Sequence, residues 1–157
     1  NAQYSLGIML DCGRGVALDR YRAIELFHKA AKQGHAKAQF NLGVAYARGD
    51  GVTRDDVQAV ALDRQAAGQG LADAQHNLGF MYVNGRGVMK DAEQAVVLIR
   101  KAAEQGYVVA QVSLGMLHAN GVGTRKDEDQ AIFWWKKAAK QGDVDAREEL
   151  GKRGLTW

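Results

Sequence analysis

The chain has 157 residues, 46% hydrophobic and 25% charged, with a net charge of +3, a composition that argues against intrinsic disorder. A single cysteine, Cys12, excludes an internal disulfide and a thiolate metal site. Basic residues alternate with acidic ones and apolar runs are short, so neither nucleic-acid binding nor a transmembrane segment is expected.

A six-residue motif, Ala-Gln-x-x-Leu-Gly, recurs every 36 residues without insertion. Its copies start at Ala2, Ala38, Ala74 and Ala110, and a fifth copy at Ala146 keeps the alanine, leucine and glycine. A fixed period of this length predicts a stacked array of helical units. We expect one domain, 1–157, made of units 1–35, 36–71, 72–107 and 108–143 and a capping half-repeat, 144–157.

Each unit begins with a predicted amphipathic helix. In residues 36–48 the apolar side chains of Ala38, Leu42, Ala45 and Tyr46 follow the spacing of one helix face. A glycine then recurs where a helix C-cap needs a positive φ, and it opens a Gly-x-Gly loop. The glycines of this column are Gly13, Gly49, Gly85 and Gly121.

The second helix of each unit starts after a recurring aspartate that is typical of an N-cap. These aspartates are Asp19, Asp55, Asp91 and Asp127. Gln58, Gln94 and Gln130 stand three residues later and predict a capping box in three of the four units. The helix is predicted to end in a Schellman motif, with its left-handed residue at Gly34, Gly70, Gly106 and Gly142.

Two further columns predict packing. A glycine lies inside each first helix, where it costs roughly 1 kcal/mol relative to alanine, and close helix–helix approach explains its recurrence. These glycines are Gly7, Gly43, Gly79, Gly115 and Gly151. Asp63 stands in a column otherwise held by Phe27, Ile99 and Trp135, so we expect it to be either exposed by local loosening or paired with a basic residue.

The repeated Ala-x-x-x-Leu-Gly, Gly-x-Gly-Val, Asp and Ala-Ala pattern resembles the Sel-one-like repeat (SLR), a relative of the tetratricopeptide repeat, over nearly the whole chain. The resemblance implies an all-α fold, a right-handed α/α superhelical solenoid of four helix–turn–helix repeats with a C-terminal capping helix. It also implies an adaptor or scaffold that binds a protein or peptide, often in the bacterial envelope, which favours the periplasm over the cytoplasm. We expect a monomer.

The sequence contains no catalytic constellation. The histidines His28, His35, His76 and His118 lack metal-ligand spacing, and the Gly-x-Gly loops lack the strand and third glycine of a dinucleotide site. We therefore expect no enzyme activity, no cofactor and no metal. A cysteine-rich branch of the resembling family has been linked to β-lactams, but this chain lacks those cysteines, so that alternative is less favoured.

The best candidate for function is the side of each first helix that points away from its own core. Aromatic and apolar side chains alternate there with asparagines, which suits a partner-binding surface. In related solenoids the first helices line the concave side. We call the following set the first-helix face: Tyr4, Ser5, Ile8, Phe40, Asn41, Val44, Arg48, His76, Asn77, Phe80, Asn84, Val112, Ser113, Met116 and Asn120.

Two alternatives remain open at this point. Positions 40 and 44 could pack against the adjacent unit instead of binding a partner, because superhelical packing buries more than one stripe per helix. The partner could also be a toxic effector, since some bacterial SLR proteins are immunity proteins that block a toxin active site.

Overall fold

A computed structural model describes residues 2–157, and these residues form nine α-helices and no strand. The helices are α1 (Ala2–Cys12), α2 (Arg20–Lys32), α3 (Ala36–Arg48), α4 (Asp56–Gly68), α5 (Ala72–Asn84), α6 (Ala92–Glu104), α7 (Val108–Asn120), α8 (Glu128–Lys140) and α9 (Val144–Gly151). Odd-numbered helices correspond to the predicted first helices and even-numbered ones to the second helices. The predicted all-α repeat class is confirmed.

The helices pack in chain order within two compact units, one comprising residues up to Ala74 with Arg86–Met89, the other Gln75–Gly85 with Lys90–Trp157. In the first unit, α1 packs on α2, α2 on α3 and α3 on α4. Its core holds Phe27 and Leu42 among small alanines. In the second unit, α6 packs on α7, α7 on α8 and α8 on α9, and Trp135 fills the core at the α8–α9 end.

The helix ends follow the predicted local signals. The side chain of Asp91 accepts the backbone N–H of Gln94 at 2.9 Å, and Asp19, Asp55 and Asp127 cap their helices likewise. At the other end, Gly70 has a φ of 88°, its N–H donates to the Ala67 carbonyl, and the N–H of Leu71 donates to the Ala66 carbonyl at 3.2 Å. This is the Schellman pattern.

The predicted capping box is wrong in its second half. In a complete box the glutamine side chain would bond to the backbone N–H of the N-cap residue. In the structure that N–H of Asp55 donates instead to the Tyr46 carbonyl at 2.9 Å, and Asp91 and Asp127 donate to the equivalent carbonyls of Tyr82 and His118. These bonds tie the start of each second helix to the end of the first.

The mid-helix glycines allow close helix packing in four of the five positions. A Cβ at Gly79 would lie 2.6 Å from Ile99 Cγ1 and 3.1 Å from the Ala95 carbonyl oxygen. Gly7, Gly43 and Gly115 are similarly close to the second helix of their own repeat. At Gly151 the expectation is wrong, because a Cβ there would meet nothing within 4 Å.

The second glycine of the Gly-x-Gly loop packs on the repeat before it. A Cβ at Gly123 would come 2.0 Å from the Ala92 carbonyl oxygen, and one at Gly87 would come 2.1 Å from the Asp56 carbonyl oxygen. Arg86 strengthens this contact, since its Nη2 donates to Asp56 Oδ1 at 2.6 Å and to the Ala47 carbonyl at 3.2 Å. The loop therefore packs its backbone against the first residue of the preceding second helix, Asp56 in α4 and Ala92 in α6.

Asp63 is fully buried, with 0% of its surface exposed, so the expectation that local loosening exposes it is wrong. Its Oδ1 lies 3.0 Å from the position that a Cβ on Gly43 would take. The carboxylate thus occupies the space that Phe27 and Trp135 fill against Gly7 and Gly115.

The last residues fold back over α9. Leu155 packs on the cluster that contains Trp135, and its N–H donates to the Leu150 carbonyl at 3.0 Å. The Arg147 guanidinium lies 5.5 Å from the centre of the Trp157 ring, which is half-exposed.

Candidate protein-interaction surface

The part of the first-helix face that lies in the first compact unit is half-buried. Tyr4 and Ile8 pack against the core cluster, and Phe40, Asn41 and Val44 are also partly covered. Arg48, at the end of α3, is exposed.

The part that lies in the second compact unit is more open. Phe80 is 49% exposed and Met116 is 42% exposed. The side-chain amides of Asn84 and Asn120 donate to the carbonyls of Phe80 and Met116, one turn earlier in the same helix. Both amides thus bond within their own helices and do not cover the large side chains of Phe80 and Met116.

A histidine connects the two first helices of the second compact unit. His76 Nε2 lies 3.0 Å from Ser113 Oγ, and the His76 ring meets the Tyr107 ring edge-on at a centroid distance of 5.7 Å. Asn77 and Val112 are half-buried. This part of the face is therefore held by polar contacts between α5 and α7.

Sequence reasoning missed a set of glutamine contacts between neighbouring helices. Gln39 is only 4% exposed, and its Oε1 accepts Nε2 of Gln69 at 2.7 Å while its own Nε2 donates to the Ala31 carbonyl and to Gln65 Oε1. Contacts between glutamines 30 residues apart, here called glutamine clamps, recur in every repeat. The pairs are Gln3–Gln33, Gln39–Gln69, Gln75–Gln105 and Gln111–Gln141.

The first glutamine of a clamp also adds a side-chain donor to a carbonyl in the last turn of a second helix, which already accepts the N–H of the left-handed glycine. Gln111 Nε2 reaches the Ala103 carbonyl at 3.1 Å, as Gln39 reaches that of Ala31. At the fifth motif Arg147 replaces the glutamine and donates twice to the Ala139 carbonyl at 3.2 Å. The sequence signal that could have predicted these contacts is the glutamine that recurs directly after the buried alanine of each first helix.

Two small clefts open on the first compact unit, and both are lined by Asn41. The Asp11 cleft has a volume of about 160 Å³. Its walls are Asp11, Ile24, Phe27, Asn41, Val44, Ala45, Arg48 and Asp50. The Tyr4 cleft has a volume of about 220 Å³ and is lined by Tyr4, Lys37, Phe40, Asn41, Leu71 and Asp73. The half-buried Phe40 therefore forms part of the wall of the Tyr4 cleft, and the half-buried Val44 forms part of the wall of the Asp11 cleft.

Two histidines have a lowered pKa. Burial and the nearby positive charge of Lys37 lower the pKa of His35, whose Nδ1 accepts the Ala38 N–H at 3.2 Å and whose ring lies 4.6 Å from that of Tyr4. Burial and the Arg100 guanidinium lower the pKa of His118, whose Nε2 lies 3.1 Å from Arg100 Nη2. His118 is a packed ring with 4% of its surface exposed.

Within residues 2–157 no group of three or more histidine, cysteine or acidic side chains could hold a metal ion. No helix among these residues has the length and apolar character needed to cross a membrane.

These features define an all-α helical-repeat protein with partly exposed aromatic side chains on its first helices. The model of the Sel1 repeat matches residues 1–35, 36–71, 72–107 and 108–143. The chain belongs to the Sel1 repeat family. Proteins with this repeat commonly mediate protein–protein interaction and are typically non-enzymatic scaffolds.

Solved structures with the same fold come from several bacteria. A protective antigen of uropathogenic Escherichia coli with an SLR fold is 41% identical, with a TM-score of 0.93, and the match covers 98% of this chain and 34% of that one. A Sel1 repeat protein from Oxalobacter formigenes is 38% identical, with a TM-score of 0.85 and coverage of 93% and 60%. The chain therefore spans about a third and about three fifths of these two proteins.

A more distant match is an immunity protein from Pseudomonas aeruginosa, 26% identical with a TM-score of 0.67, covering 96% of this chain and 56% of that one. No curated protein matches the chain significantly.

Proposed function

We propose that the chain is a non-catalytic interaction module that binds a protein or peptide partner through its first-helix face. The observation that carries this proposal is Phe80, a large aromatic side chain that is 49% exposed on a first helix. Exposed aromatic side chains that become buried on association supply much of the energy of protein interfaces. Met116, exposed on α7 of the same compact unit, adds a flexible apolar group.

The family supports the class of function, since Sel1 repeats commonly bind other proteins. The polar members of the face support it too. Interfaces mix aromatic anchors with polar groups that fix orientation, and Asn41 and Asn77 are half-buried beside Phe40 and His76.

The chain offers a matched pair of phenylalanines for the test. Phe133 on α8 is 47% exposed, close to the value for Phe80, but it lies on a second helix under the Lys137 ammonium. The partner would be captured from the native host with the full chain as bait, purified, and titrated against variants by calorimetry. We expect Phe80→Ala to weaken binding by more than about 1 kcal/mol, roughly fivefold in Kd, and Phe133→Ala to leave it unchanged.

Melting curves would show that both variants stay folded. If Phe133→Ala weakens binding and Phe80→Ala does not, the interface lies on the second helices and the proposal is wrong.

A second candidate function is effector immunity, in which the partner is a toxic enzyme whose active site the chain blocks. The similarity to the Pseudomonas aeruginosa immunity protein, 26% over nearly the whole chain, is the observation that favours it. In that case the captured partner would be an enzyme, and one equivalent of the chain would abolish its activity. A partner that remains fully active in the complex would rule this candidate out.

A further inference from the structure

The two clefts beside Asn41 point to the chemistry of the partner, an inference that rests on the proposed function. We propose that the Asp11 cleft receives a lysine or arginine side chain from an extended segment of the partner. The same segment places an apolar side chain in the Tyr4 cleft.

The size of the Asp11 cleft fits one side chain. Its volume of about 160 Å³ is well below the roughly 300 Å³ at which pockets begin to hold drug-sized ligands. Ile24, Phe27 and Val44 supply an apolar wall. Lysine and arginine side chains lay their methylene stems on such walls and keep the charged end at the rim.

The charges of this cleft select a cation. Asp11 and Asp50 contribute two negative charges and Arg48 one positive charge, so the lining has a net charge of −1. Among residues 2–157, none of these three takes part in an ion pair. Both carboxylates are therefore available to an incoming cation, whereas Arg48 would repel it.

The Tyr4 cleft suits an uncharged side chain of the partner segment. Tyr4, Phe40 and Leu71 form its apolar walls, and the charges of Lys37 and Asp73 balance each other. An aliphatic or aromatic side chain of the partner would bury apolar surface there.

Asn41 is the element that links the two clefts, because it lines both of them. Its carboxamide has two N–H donors and an acceptor oxygen, the complement of a peptide N–H and C=O. A chain that passes from one cleft to the other crosses Asn41, whose amide can then bond to the backbone of that chain. This arrangement requires an extended segment, since a helix satisfies its own backbone groups.

The test uses the full chain, immobilised, and a positional-scanning library of acetylated and amidated octapeptides at physiological salt. We expect selection of lysine or arginine at one position and of an apolar residue at another. The selected peptide and its analogue with norleucine in place of the basic residue would then be titrated by fluorescence anisotropy.

The variant Asp11→Asn/Asp50→Asn should weaken binding of the basic peptide roughly fivefold, the range of two exposed ion pairs, and remove its advantage over the norleucine analogue. Arg48→Gln should keep or increase that advantage. The control Asp129→Asn/Asp145→Asn removes the same charge from exposed positions on α8 and α9. It should leave the affinity for both peptides unchanged.

The outcomes separate this inference from the proposed function. Selected peptides without a basic preference, or a preference that survives in Asp11→Asn/Asp50→Asn, would overturn the cleft assignment. The proposed function would still stand if Phe40→Ala weakened those same peptides. If no peptide is selected, the extended-segment inference fails, and the Phe80 and Phe133 comparison with the captured partner decides the function independently.

Discussion

Gly87 lies against the backbone of Asp56 so closely that a Cβ on the glycine would come within 2.1 Å of the Asp56 carbonyl oxygen and 2.3 Å of the carbonyl carbon. The φ of Gly87 is 65°, in the left-handed region. Two independent constraints therefore require glycine, one from the conformation of the loop and one from the repeat on which the loop packs.

Gly15 separates these two constraints, because its φ is 71° while a Cβ there would meet only the end of the Met9 side chain at 3.9 Å. We expect Gly15→Ala to cost about 1–2 kcal/mol, the penalty of a left-handed residue. Gly87→Ala should cost roughly 2–5 kcal/mol, since overpacking against rigid backbone adds to that penalty. Urea unfolding of both variants measures the difference, and equal costs would show that the contact with Asp56 contributes nothing.

The mid-helix glycines provide a second comparison. We expect Gly79→Ala to destabilise the chain by about 1–3 kcal/mol, because the added methyl group would push against Ile99 and the Ala95 carbonyl. Gly151→Ala should be neutral or stabilising by up to about 1 kcal/mol, since its position is open and alanine has the higher helix propensity. Thermal melts distinguish them, and a Gly79→Ala variant as stable as the parent would contradict the packing argument.

Gly68 is a site where the chain can be stabilised. It is an exposed residue at the end of α4, its φ is negative, and a Cβ there would meet nothing within 4 Å. Gly68→Ala should therefore raise the free energy of unfolding by about 0.4–1 kcal/mol. Gly70, two residues later, is equally open but has a φ of 88°. Gly70→Ala should destabilise the chain, and stabilisation by both changes would refute the role assigned to backbone conformation.

His35 makes stability depend on pH. Its pKa is lowered from the ordinary 6.5 by burial and by positive charge, so the folded chain binds the proton less readily than the unfolded chain. The contribution of His35 to the free energy of unfolding is thus fully present above pH 6.5, and it is lost as the pH falls from 6.5 toward the lowered pKa of the folded chain. Protonation also removes Nδ1 as the acceptor for the Ala38 N–H.

His35→Asn should retain the cap, because asparagine is a strong N-cap residue, and should flatten part of the pH dependence between about pH 7.5 and pH 5. Part will remain, since the pKa of His118 is lowered too. Denaturation at several pH values gives the comparison. An unchanged slope in the His35→Asn variant would show that His35 does not contribute.

The features that could be predicted from the sequence are those fixed within a few residues. The cap at Asp91 and the left-handed Gly70 each depend on contacts within one turn, and the 36-residue recurrence repeated the same signal four times. The pairing of Gln39 with Gln69 escaped prediction because the partners are 30 residues apart and a glutamine in a helix is compatible with an exposed position. The complete burial of Asp63 also could not be predicted. The alignment of the repeats shows which residue types share its position, but it does not show whether an aspartate placed there stays buried.

The candidate surface also has one part that could be predicted from the sequence and one part that could not. Helical periodicity placed Phe80 and Met116 on an accessible side of their helices, since exposure on one face follows from the 100° step per residue. The clefts beside Asn41 could not be anticipated, because Asp11, Phe27 and Asp50 come from different segments that only the packing of α1, α2 and α3 brings together.

The glutamine clamps bear on how such a chain can change in length. Both members of a clamp are uncharged, they stand 30 residues apart, and the period is 36. A duplication of 36 codons taken from residues 1–146 therefore keeps a glutamine pair in every repeat of the lengthened product, because the first glutamine of each pair still precedes its partner by 30 residues. A copied segment that includes Arg147 would place an arginine at the first position of one pair. The clamps themselves therefore place no restriction on a change in the number of repeats by whole periods, whichever residues those repeats expose.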